Sequence, residues 1–122
     1  MATLSSIAIR INKENDVTVN FNDKTMSFSD FIQTYFENLE PVKETVIGNK
    51  TYLDFVMYDV SWNSVTDEEV DMVIKTIEKI NKEGGEAGLL EIAEGCEHDE
   101  VFEIGQPFDI GLNYVRTTKF TF

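Results

Sequence analysis

The chain has 122 residues, enough for one domain, and its 42% hydrophobic and 11% aromatic content is sufficient to fill a core. Its 10 basic side chains stand against 23 acidic ones, a formal net charge of −13 at pH 7. This balance excludes a nucleic-acid binder that works by neutralising phosphates, and a helix that lies on an anionic membrane.

Along the chain, Ile7, Ile9 and Ile11 share one parity, Asn12 to Asp16 supply turn chemistry, and Val17, Val19 and Phe21 alternate again. This period of two predicts a half-buried β-hairpin. A first helix follows, with Ser27 as N-cap, Asp30 at the third helical position, and Met26 facing Phe31 as a hydrophobic staple. Ile32, Tyr35, Phe36 and Leu39 then recur at i, i+3, i+4 and i+7, and Pro41 is expected to end the helix. Gly48-Asn49 marks a turn before a strand over 51–60. There Leu53, Phe55 and Met57 lie on one face, while Tyr52, Asp54, Val56, Tyr58 and Val60 lie on the other.

The second helix carries the clearest pattern. Thr66 and Glu69 match a capping box, Val65 is placed to staple to Val70, and Val70, Val73, Ile74, Ile77 and Ile80 share one side. Asp71 precedes Lys75, and Glu78 precedes Lys82, by four residues, and Gly84-Gly85 stops the helix. Segment 89–93 fits a short strand or one helical turn. Segments 101–104, 108–115 and 117–122 read as closing strands, with Gly105-Gln106-Pro107 as a turn. The expected fold is α+β: an antiparallel β-sheet with two α-helices packed on one face, in the order ββα-β-α-ββ(β), as a single globular domain over 1–122.

Cys96 is the sole cysteine, so no intrachain disulfide forms. Residues 1–6 show no basic stretch ahead of an apolar one, and apolar runs stop far short of the roughly 20 residues a membrane-spanning helix needs. The expectation is a cytoplasmic protein.

The negative charge is not evenly spread. Residues 1–66 hold nine acids and five basic groups, residues 67–109 hold fourteen and three, and residues 110–122 hold only Arg116 and Lys119. The three lysines of the middle region all belong to the second helix. From Glu83 through Val115 there is no lysine or arginine at all. Such a concentration of like charge lowers stability at low salt; it is either a solvated surface or one that recognises a basic partner. In the second case the partner-binding carboxylates are Glu86, Glu91, Glu94, Glu97, Asp99, Glu100, Glu103 and Asp109. Tyr58 and Trp62 are the candidate apolar anchors, since Tyr and Trp are enriched in binding hot spots. The remaining aromatics sit at core spacing.

Other chemistry is thinly represented. Cys96 and His98 would face the same way in an extended segment, the pairing of a cysteine nucleophile, but the acids around them raise a thiol pKa rather than lower it. Zinc lacks further soft ligands, and the acids of 94–103 do not follow the spacing of a calcium loop. The glycines at 84, 85 and 88 follow a helix, whereas phosphate-cradling loops precede one. No cofactor, metal or catalytic residue is expected.

In size, acidity and α+β pattern the chain is similar to immunity proteins that neutralise nuclease toxins, and to phage-encoded acidic inhibitors of restriction or CRISPR systems. That similarity implies a non-enzymatic inhibitor that mimics nucleic acid and occupies a basic, nucleic-acid-processing protein. An acidic chaperone or adaptor that holds a protein client on its sheet is the second reading. A small enzyme using Cys96 and His98 is the third.

Overall fold

Strand β1 (Leu4–Asn12) is the centre of the fold, because its alternating isoleucines give it an apolar face and both of its edges are taken. In a computed structural model the protein is described over residues 4–93 and 100–105. Beside β1 lie β5 (Lys50–Ser61) and β6 (Ala87–Ala93), with β4 (Lys43–Ile47) and β7 (Glu100–Gly105) outside them. Together they form a five-stranded antiparallel sheet in the order β4-β5-β1-β6-β7. Register sets Ile7, Ile9 and Ile11 opposite Met57, Phe55 and Leu53 on one side, and opposite Glu91, Leu89 and Ala87 on the other.

That face carries the core. Helix α1 (Phe28–Tyr35) contributes Phe28, Phe31 and Ile32, helix α2 (Glu68–Lys82) contributes Val73, Ile77 and Ile80, and all join one buried cluster with the sheet. Each such side chain contributes roughly 1.5–3 kcal/mol on burial. A separate hairpin, β2 (Thr18–Phe21) and β3 (Lys24–Ser27), adds Val19 and Phe21 to the same cluster. Phe21 packs edge-on against Phe31 at 5.2 Å and against Tyr35 at 5.0 Å. The fold is thus α+β, with an antiparallel sheet and two helices on one face. The opposite face is closed as well: Ala8, Tyr52, Leu90 and Ile92 are buried there, together with the ionic pair Arg10 and Asp54.

Several local expectations need correction. The alternating segments 7–11 and 17–21 do not pair with each other. Asn12 instead accepts the Glu14 N–H and caps a 3₁₀ turn over Lys13–Asn15, and β2 pairs with β3. Both edges of β1 are filled by strands whose apolar residues match its own. Helix α1 stops at Tyr35, well before Pro41, and Phe36 is extended with φ −120° and ψ 115°. Phe36 packs against Trp62, and Leu39 forms a β-bridge with Met57, so tertiary contacts draw the chain into the sheet early.

Helix α2 begins one residue later than the capping-box reading has it. Its N-cap is Asp67 with no side-chain cap bond, Val65 is 91% exposed and staples nothing, and Asn63 accepts the Val65 and Thr66 N–H groups. Strand β4 was not foreseen, and 89–93 resolves as a strand. Ser27 does cap α1, accepting the Asp30 N–H at 3.1 Å. The expected strands over 108–115 and 117–122, and the turn residues Gln106 and Pro107, lie outside the described residues.

Candidate functional site

Strand β5 carries a bulge near its end. Ser5 pairs with Val60 and Ile7 with Met57, so Tyr58 and Asp59 together oppose Ser6, and Asp59 takes a positive φ of 55°. Bulges re-aim the strand they interrupt and are frequent beside binding sites. Beyond this one, the chain leaves the sheet at Ser61 and sets the Trp62 ring 5.7 Å from Phe36 at an interplanar angle of 31°.

Trp62 also borders an open cleft of about 340 Å³, lined as well by Asn63, Ser64, Ile74, Glu78, Glu91 and Ile104. Among the described residues the lining therefore combines an indole, two aliphatic side chains and two carboxylates, with no lysine or arginine. Glu91 reaches this position from the helix-facing side of β6, where it accepts a hydrogen bond from Ser5 Oγ at 2.8 Å. Glu78 comes from α2, one helical turn after Ile74. Chemically, such a cleft suits a cationic side chain: the indole face attracts a cation and the carboxylates accept its N–H groups.

Two of the expected residues thus meet in one place, Trp62 and Glu91. Glu86 does not join them. Its carboxylate accepts bonds from Lys50 Nζ at 2.8 Å, Asn12 Nδ2 at 2.9 Å and Tyr52 Oη at 3.1 Å, and its own N–H donates to Asn15 Oδ1. The bond from Lys50, then that from Asn12, holds the Glu86 carboxyl below the ordinary glutamate range. Burial, followed by the bond to Glu86, raises the Tyr52 phenol. Glu86 therefore ties β1, β5 and the start of β6 together.

Tyr58 is half-buried within the bulge and does not line the cleft. Positions 100 and 103 of β7 stand opposite Ala93 and Leu90 in register. Glu94, Glu97, Asp99 and Asp109, like Cys96 and His98, lie outside the described residues.

Glu78 was missed as a site residue because its spacing to Lys82 reads as helix surface electrostatics; its only sequence signal is the Ile74-Glu78 stripe. Among the described residues no group of three or more His, Cys, Asp or Glu side chains could hold a metal ion. Among the same residues no helix is long and apolar enough to cross a membrane. Comparison with protein families, with characterised proteins and with solved structures gives no significant match.

Proposed function

We propose that the chain is a non-enzymatic inhibitor that binds a basic, nucleic-acid-processing protein, in the manner of a nuclease immunity protein or a phage anti-restriction or anti-CRISPR inhibitor. The observation that carries this reading is the cleft in which Trp62 stands beside Glu78 and Glu91 with no basic side chain in the lining among the described residues. An arginine or lysine from the partner would be the seated group, and the acidic stretch from residue 83 onward would steer the approach. Glu86 does not line this cleft, and its carboxylate accepts bonds from Lys50, Asn12 and Tyr52.

The test compares wild type with Trp62→Ala and Glu78→Lys in affinity capture from the native host, at low and at moderate salt. The wild type is expected to retain a basic protein whose nucleic-acid-processing activity falls at a 1:1 ratio. Each variant is expected to weaken that complex by roughly tenfold, about 1.4 kcal/mol. A retained partner that is acidic, or one held equally by both variants at both salt concentrations, overturns the reading.

One observation favours the adaptor alternative. Among the described residues strand β4 is an edge of the sheet, and Val46 and Ile47 on it are exposed. A client added there would bind through main-chain bonds and remain bound as salt rises.

A further inference from the structure

Among the described residues, strand β2 is bonded along one edge only. It joins β3 through Asn22 and Asp23, whose φ values of 50° and 62° make a two-residue turn of the type favoured in hairpins. The flanking pair Phe21 and Lys24 then exchanges both hydrogen bonds. Alternation along the ladder turns the N–H and C=O groups of Asn20 and Thr18 away from β3. Both residues are exposed, and both line a groove of about 240 Å³ whose other wall is α2.

That second wall is a single helical stripe, Met72, Lys75, Thr76 and Lys79, at i, i+3, i+4 and i+7. Lys75 pairs with Asp71 of its own helix at 2.8 Å, while Lys79 makes no ion pair among the described residues. In a chain of net charge −13, the groove thus presents two lysines and, among the described residues, no carboxylate in its lining. Lys75 and Lys79 are one turn apart, about 6 Å along the helix axis. Alternate residues of an extended strand are about 6.7 Å apart, so the two spacings match.

We propose that the groove between β2 and α2 takes an extended acidic segment of a partner protein as an added strand. Its main chain bonds to Thr18 and Asn20, and carboxylates at alternate positions meet Lys75 and Lys79. Backbone pairing supplies affinity and the lysines supply selection for acidic sequence. This surface shares no residue with the Trp62 cleft, and it stands or falls independently of the inhibitor reading.

The test uses the full-length chain with two capped decapeptides, one of alternating Glu and Thr and one of alternating Lys and Thr, followed by amide NMR. The Glu peptide is expected to shift the Thr18 and Asn20 amides and slow their hydrogen exchange, and the Lys peptide to leave them unchanged. Lys79→Glu is expected to weaken the Glu peptide roughly tenfold. Thr18→Pro removes an N–H that holds nothing within the hairpin, so it is expected to weaken binding while the remaining spectrum persists. Four results overturn the proposal: no change at Thr18 and Asn20, equal binding of both peptides, undiminished binding to Lys79→Glu, or shifts at the lysines without protection of β2.

Discussion

Arg10 lies at the middle of β1 with 1% of its surface exposed, an arrangement that requires a paired charge. Asp54 provides it in the two-pronged geometry that guanidinium favours, with Nε to Oδ1 at 2.6 Å and Nη2 to Oδ2 at 2.9 Å. Thr45 donates to the same carboxylate, and the Tyr52 ring lies 5.5 Å from the guanidinium carbon. Removing one partner costs more than removing both. Asp54→Ala is expected to lower stability by about 3–5 kcal/mol in urea denaturation, and the double variant Arg10→Met/Asp54→Leu to recover most of it. A single variant within about 1 kcal/mol of wild type would contradict this account. Glu86 supports a second prediction. Its folded pKa is lowered, chiefly by the bond from Lys50, so its contribution is present above the unfolded value of about 4.3 and is lost as pH falls through the folded value. Glu86→Gln should therefore unfold at lower urea than wild type at pH 7, and the gap between the two midpoints should narrow as pH falls below the unfolded value. A gap of constant size from pH 7 to pH 3 would exclude the effect.

The two helix starts differ in a way that stability measurements can read. Ser27 accepts the Asp30 N–H, and Asp16 accepts both the N–H and the hydroxyl of Ser29, so the first turn of α1 is held by side chains. Thr66 is exposed and caps nothing. Ser27→Ala is expected to cost about 1 kcal/mol, and Thr66→Ala less than about 0.5 kcal/mol. The reverse order in thermal or urea melts would restore the capping-box reading of α2. This contrast also marks what the sequence makes legible. The apolar faces of β1, β5 and α2 follow from spacing alone, because burial enforces the period. Strand partners do not, since Ile7, Ile9 and Ile11 would match any strand of the same parity, and β5 and β6 outcompete the nearby β2. The end of α1 is set by the Phe36–Trp62 contact, which no local pattern contains. For the same reason Trp62 and Glu91 could be named separately, while their shared cleft required the bulge at Tyr58 and Asp59 to be seen. Arg10 and Asp54 gave no sign of burial, because charge at a strand position reads as surface.

At the scale of the whole molecule, the charge of −13 sets the response to salt. The Debye length is about 10 Å at 0.1 M ionic strength, so added NaCl screens repulsion between carboxylates more than it weakens the enclosed Arg10–Asp54 pair. The urea midpoint at pH 7 is expected to rise between low salt and 0.3 M NaCl; a fall would mean that attractive surface pairs such as Lys13–Glu44 and Lys50–Glu86 outweigh the repulsion. The sheet order has a consequence of another kind, in time rather than in energy. β1 precedes both of its neighbours in the chain, and it can be flanked on one side only after Leu53 has been made and on the other only after Ala87. On the ribosome, the strand that organises the core is the one that waits longest for its place. Its main-chain edges stay unpaired meanwhile, and a topology so rich in distant pairings folds slowly once released. The two edges of β1 thus stand open to pairing with other chains until β5 and β6 have been made.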